Sequence, residues 1–228
     1  VGEFFDSAPA LIASIVAGYL LGALPLADQI SRRHGVDIYS RGSGLAGASN
    51  VLRSVGKAPA FLVLIGDLGK GALAIVVAGL LGVEGILLLV ALASSLVGHW
   101  KSVFSNFRGG DSLAILGGAT IPLFGTFGML SVMVAMLIAL GGQKMPYSSL
   151  LSVVFGYATL VALNVAYDGD TVMAMGYGGL ASLVLAHALN GHRRRRNTPE
   201  WDEAMNEWGD CEDPEGATEQ SGSGSHLQ

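Results

Sequence analysis

The sequence predicts an all-α integral membrane protein: a seven-span helical bundle whose motif loops face the cytoplasm. Three observations carry that expectation. Of 228 residues, 51% are hydrophobic and only 14% charged, whereas a soluble domain carries about 25% charged residues. Mean hydropathy is +0.52. The apolar residues also fall in runs that approach or exceed the length needed to cross a bilayer core, about 20 residues. Finally, the charges are segregated. Basic residues gather in polar loops and after the last apolar run, while Glu200, Asp202, Glu203, Glu207, Asp210, Glu212, Asp213 and Glu215 crowd the far C-terminus. The formal net charge of −5 therefore describes no single surface.

The chain divides at residue 196 into a membrane domain (1–196) and an acidic tail (197–228) without apolar periodicity, expected to be disordered. Pro9 to Ile30 supplies the first span, interrupted late by Pro25. It lacks the basic region and cleavage site of a signal peptide, so it is expected to be retained. A polar loop from Ser31 to Lys57 follows. Ala58 to Leu81 is the second span and carries Asp67 and Lys70 in its first half. Val83 to Val97 is a short third span, and His99 to Ser112 a second polar loop. Leu113 to Leu140 is ambiguous. As one helix it would rise about 42 Å, more than a bilayer core of about 30 Å, and it contains Pro122 and Gly125. Two passes joined near Pro122 are expected. Ser148 to Ala166 and Thr171 to Leu189 complete the set.

Charge decides the split. Arg32, Arg33, Arg41, Arg53 and Lys57 in the first loop, Lys101 and Arg108 in the second, and Arg193 to Arg196 after the last span should all be cytoplasmic by the positive-inside rule. That arrangement needs an odd number of spans. Splitting the long run gives seven, with the N-terminus outside, the C-terminus inside and Lys144 cytoplasmic. Most of the glycines within spans serve close helix packing.

The candidate chemistry lies in three clusters on that one side. The first is Arg41-Gly-Ser-Gly-Leu-Ala-Gly-Ala-Ser-Asn-Val-Leu-Arg53, together with Asp67 and Lys70. Its glycines allow close backbone approach, its hydroxyl and amide side chains add directed hydrogen bonds, and its arginines suit phosphate. The second runs from His99 to Asp111, and the third is His187-Ala-Leu-Asn190-Gly-His-Arg193. Asp67 and Lys70, three apart on a helix, can pair on one face. That leaves open a structural pair or a lysine turned to an anion pocket. The lone Cys211 excludes an intrachain disulfide or a cysteine metal site. No Ser-His-Asp signature, HExxH motif or Walker A loop is present, and no nucleic-acid partner is expected. A pocket rich in N–H groups and cations that opens on lipid suits phosphate-activated acyl chemistry through positioning and electrostatics.

These residues resemble the acyl-phosphate-dependent glycerol-3-phosphate acyltransferases of bacterial membranes, the PlsY family. The resemblance spans roughly residues 10 to 196. It rests on Gly18-Tyr-Leu-Leu-Gly-Ala-Leu-Pro25, on Gly42-Ser43-Gly44-x-x-Gly47-Ala48-x-Asn50-x-x-Arg53, and on Asp67-x-x-Lys70-Gly71. Gly98-His99 with Val103-Phe104, Phe107 and Gly109-Gly110 follows, and then His187-x-x-Asn190-x-x-Arg193. It implies transfer of a fatty acyl group from acyl-phosphate to the sn-1 hydroxyl of glycerol 3-phosphate, in a bacterial inner membrane, without a cofactor or metal. The partners implied are those two substrates and membrane lipids; nothing identifies a partner for the tail. It implies Ser43, His99, His187 and Asn190 as catalytic residues. Gly42, Gly44, Gly47, Asn50, Arg53, Asp67, Lys70, Arg108, Gly109, Gly110 and Arg193 would bind substrate or order the pocket. Ser43, Gly44 and the Gly109-Gly110 amides would hold the donor phosphate.

The sequence departs from the family pattern at Ala23, Leu45, Ser49 and Ser102. It also reads Asp111-Ser112 where the family has Lys-Gly, and it loses the Gly-x-Glu ending of the last motif; Glu200 comes one place late. The reversed charge at Asp111 keeps a second reading open, a family member that binds lipid phosphate or a membrane partner without turnover. A small transporter is disfavoured because the polar residues concentrate at one face rather than at the midplane.

Overall fold

The computed structural model describes residues 2–142 and 148–195. It is helical throughout: α1 (Gly2–Ala23), α2 (Leu26–Arg33), α3 (Ala48–Ser54), α4 (Lys57–Leu80), α5 (Leu88–Trp100), α6 (Leu113–Gly141), α7 (Ser148–Ala166) and α8 (Thr171–Arg195), with 3-10 turns at Gly85–Leu87 and Val103–Ser105. The tail 197–228, Lys144 and Arg196 lie outside the described residues.

Four stretches are long and apolar enough to cross a membrane: Ala8–Arg33, Lys57–Leu80, Leu113–Gly141 and Thr171–Asn190. Gly85–Trp100 and Leu150–Ala166 are shorter apolar helices. Large side chains stand exposed along them, among them Phe61, Leu80, Leu137 and Val165. In water such a surface would aggregate; in a bilayer it is the lipid-facing surface.

The expected first span is two helices. Pro25 has no N–H and disfavours helical geometry at Leu24, so α1 ends at Ala23 and α2 restarts at Leu26. The polar loop that follows is not all loop, since Ala48 to Ser54 form α3.

Close approach of backbones holds the bundle. A Cβ at Gly118 would lie 1.8 Å from the Leu68 carbonyl oxygen, and one at Gly71 would lie 1.9 Å from that of Ile115. Only hydrogen fits at either position, so α4 and α6 touch along their main chains. The buried core joins Leu92, Leu96, Ile115, Leu116, Leu160 and Val184 from α5, α6, α7 and α8.

The long run from Leu113 reverses, but not at Pro122. Helix continues through Pro122 to Gly125, which takes φ 55 and ψ −126. Residues 120 and 128 would be about 12 Å apart along a straight helix. Instead, a Cβ at Gly128 would lie 2.0 Å from the Thr120 carbonyl oxygen. α6 is therefore two arms, 113–124 and 126–141, folded back at a backbone conformation that only glycine adopts without strain. Proline removes one hydrogen bond and bends a helix; it does not supply a positive φ.

Gly125→Ala should cost about 1–3 kcal/mol, seen as a lower thermal midpoint in detergent. Gly141→Ala, where a Cβ meets nothing within 4 Å, should leave the midpoint unchanged or higher.

Candidate active site

Asn50, on the first turn of α3, organises the glycine loop. Its side chain is 3% exposed. Its Nδ2 donates to the carbonyls of Ile38, Arg41 and Leu45, each at 3.0 Å. Its Oδ1 accepts from the Ser43 N–H and the Ser54 hydroxyl, both at 3.3 Å. Two amide hydrogens are shared among three carbonyls, so this side chain faces the loop and not a ligand. Gly42 and Gly44 take positive φ, 51 and 62, which lets the loop wrap Asn50. The amides expected to cradle phosphate are paired within the protein: Gly44 N–H donates to the Arg41 carbonyl and Ser43 N–H to Asn50.

The second loop is locked against the first. Ala46 N–H donates to the Gly109 carbonyl at 3.2 Å, and Gly110 N–H to the His99 carbonyl at 3.2 Å. A Cβ at Gly109 would lie 1.7 Å from that His99 oxygen, so glycine is required there. The Ser102 hydroxyl donates to the Ala23 carbonyl at the end of α1. Arg108 lies with its guanidinium 4.5 Å from the centre of the Tyr39 ring, a cation–π contact that joins the two loops. Burial pushes the Tyr39 phenol up from its ordinary pKa, which keeps that ring neutral.

Behind the loops lies a buried ion pair. Lys70 Nζ is 2.7 Å from Asp67 Oδ1 and also donates to the Leu24 carbonyl where α1 stops. His99 is buried beside this pair, and its ring feels the charges of Asp67, Lys70 and Asp111. Asp111 is turned to helix α6: its Oδ1 accepts from the Leu113 N–H at 3.2 Å, where the positive end of the helix dipole favours an anion. Its carbonyl accepts from the Trp100 indole at 3.3 Å.

A cavity of ≈ 1010 Å³ opens beside these groups, at the upper end of the about 300–1,000 Å³ typical of small-molecule pockets. Gly47, Ser49, Arg53, Lys57, Asp67, His99 and Asp111 form its polar part. The rest is a mainly apolar slot between α4, both arms of α6, and α7, with Phe61, Leu64, Leu68, Met136 and Leu140 on its walls. A polar mouth, with Arg53 and Lys57 beside Asp67 and Asp111, leads into the apolar slot.

The structure brings Gly47, Arg53, Asp67 and His99 together at the cavity. Lys70, Arg108 and Gly109 instead line a separate void of ≈ 10 Å³ beneath the end of α1. Ser43, Gly42, Gly44, Asn50 and Gly110 form or hold the loops and are not among the described lining residues of the large cavity. His187 stacks on Trp100 with ring centroids 4.4 Å apart. His187 and Asn190 line neither cavity, and Arg193 lies on α8 three residues beyond Asn190. Lys57, Ser49 and Asp111 join the cavity without having been named as site residues. Their only signals were the basic residue opening a span and the departures from the family pattern.

Fold and cavity together define a multi-pass membrane protein with an apolar cavity that has a polar mouth. Residues 12–197 match the family model described as glycerol-3-phosphate acyltransferase. The glycerol-3-phosphate acyltransferase of Roseiflexus sp. (strain RS-1) is 31% identical over 191 residues, covering 83% of this chain and 94% of that one. The crystal structure of PlsY, an integral membrane glycerol 3-phosphate acyltransferase, in its glycerol 3-phosphate form matches with a TM-score of 0.66 at 27% identity, over 82% of this chain and 90% of that one. Its lysophosphatidic acid form matches with a TM-score of 0.61 at 26% identity, over the same shares. The chain belongs to the glycerol-3-phosphate acyltransferase family.

Asn50→Asp tests the loop account. It keeps the shape and replaces the donor with an acceptor facing three carbonyls, at a cost of about 1–3 kcal/mol or more. Limited proteolysis should then cut within 38–47 while the helical spans stay intact. Protection equal to that of the unaltered protein would mean that Asn50 does not hold the loop.

Proposed function

We propose that this protein transfers a fatty acyl group from acyl-phosphate to the sn-1 hydroxyl of glycerol 3-phosphate, releasing lysophosphatidic acid and inorganic phosphate. The cavity is the observation that carries this reading. Its mouth offers Arg53 and Lys57 to a phosphate, and its slot offers an apolar path to an acyl chain. Arg53 binds phosphate through paired N–H donors and Lys57 as a mobile point charge. The glycerol hydroxyl oxygen attacks the acyl carbonyl carbon, the bond from that carbon to the phosphate oxygen breaks, and the departing phosphate takes the hydroxyl proton. No protein nucleophile is needed. His99 and Asp67 stand at the junction of head and chain, while Ser43, Asn50, Gly109 and Gly110 keep the two loops in register. Asn190 and Arg193, like His187, act from α8, through the second loop that His187 meets at Trp100.

In this reading α6 crosses the membrane twice, which with the other three long stretches and the two shorter helices makes seven passes. The N-terminus is outside and the C-terminus cytoplasmic in a bacterial inner membrane, as the basic loops require. Asp111 is the group that opposes donor binding, and its contact with the Leu113 N–H directs part of its charge to the helix end.

The purified protein in bilayers, given acyl-phosphate and glycerol 3-phosphate, should form lysophosphatidic acid and phosphate in equal amounts. Arg53→Ala should raise KM for glycerol 3-phosphate about tenfold or more, the worth of one charge-assisted bond, with a smaller change in kcat. Folded protein that binds glycerol 3-phosphate and makes no product would instead support a phosphate-binding role without turnover.

A further inference from the structure

Toward the end of the slot away from the polar loops, hydroxyl-anchored aromatic rings line the cavity. Tyr177 is the one α8 side chain among the described residues that line it. It is 5% exposed, and its hydroxyl is fixed twice, 2.7 Å from Thr120 Oγ1 and 3.0 Å from the Leu116 carbonyl. Phe124 meets its ring edge-on with centroids 5.6 Å apart. Tyr157 stands beside it, 6.3 Å between centroids, with its own hydroxyl donating to the Ala174 carbonyl at 3.2 Å. Both rings are thus held at their far ends by polar bonds inside an apolar bundle, where an unpaired hydroxyl is costly. They cannot swing aside freely as a leucine or methionine does.

The position of this wall matches a hydrocarbon length. The face that α7 turns to the cavity runs from Ser148 through Ser152 and Gly156 to Tyr157, about 14 Å at 1.5 Å per residue, with Leu160 about one turn further. Half the hydrocarbon core of a bilayer is about 15 Å, so the slot is about one leaflet chain deep.

We infer that Tyr157 and Tyr177 set the acyl-chain length this enzyme accepts, by stopping the terminal methyl group of the chain. The inference rests on the acyltransferase reading above and adds to it specificity-determining residues remote from the reacting atoms. The anchoring explains why the wall discriminates: a fixed ring rejects an extra methylene, whereas a mobile side chain repacks around it.

The test is a competition. The full-length protein in bilayers receives glycerol 3-phosphate and an equimolar mixture of saturated acyl-phosphates of increasing length. Mass spectrometry then reads the ratio of lysophosphatidic acid species. Tyr157→Ala removes part of the wall and should shift the ratio of longer to shorter products upward by about tenfold. Val153→Phe, one α7 turn nearer the mouth and also lining the slot, should shift it downward by a similar factor; these shifts correspond to one or two methylenes. The ratio is internal to each sample, so partial loss of folded protein does not move it, and if one variant does not fold the other decides. Turnover with an unchanged ratio in the folded variants overturns the inference and leaves the acyltransferase reading standing. No product from the unaltered protein with any donor overturns the acyltransferase reading, and this inference with it.

Discussion

The ion pair between Lys70 and Asp67 is the constraint on which the rest depends. Both side chains are almost wholly buried, and Lys70 spends a further donor on the Leu24 carbonyl, left over where Pro25 stops α1. One ammonium group thereby joins the end of the first helix to the middle of α4. Removing one partner of such a pair leaves the other uncompensated, at a cost of about 3–5 kcal/mol. The pair also sorts the two residues: Asp67 stands on the wall of the large cavity, and Lys70 stands behind it under α1. Lys70 thus lies within the scaffold, and the cations that line the mouth are Arg53 and Lys57.

The two polar loops then fix each other through backbone bonds. Ala46 to Gly109 ties the first loop to the second, Gly110 to His99 ties the second to the end of α5, and Asn50 holds the first loop from within. The amides of Ser43, Gly44 and Gly110 are consumed in that task. Arg53 and Lys57 line the mouth beside these loops. The Asp111 carboxylate meets the start of α6, where backbone N–H groups lack helical partners.

Much of this was legible in the sequence. Hydrophobic length marked every apolar helix, and the motif order gave the family. The start of α8 at Thr171 coincides with the edge of an apolar run, because a bilayer punishes unpaired polar groups sharply. What the sequence hid was direction. Asn50 and Arg53 lie three apart on one short helix, yet one faces the loop and the other the cavity, and only the path of residues 38–45 decides which. His187 resembles His99 in residue type and position near a helix end. It meets Trp100, outside the large cavity, because α8 packs along α5 at that level. The reversal within α6 comes near Pro122, where the sequence reading expects it, but its hinge is Gly125, whose positive φ is a property of the folded backbone alone.

The central claim is that an anionic head group lies at Arg53 and Lys57 with the acyl chain directed into the slot between α4, α6 and α7. An experimental structure of this protein with bound glycerol 3-phosphate tests it most directly. The account predicts the phosphate within hydrogen-bond distance of Arg53, with the free hydroxyls facing His99 and Asp111. A phosphate seated instead against Lys70 and Arg108 beneath the end of α1, with Arg53 left in solvent, would contradict it.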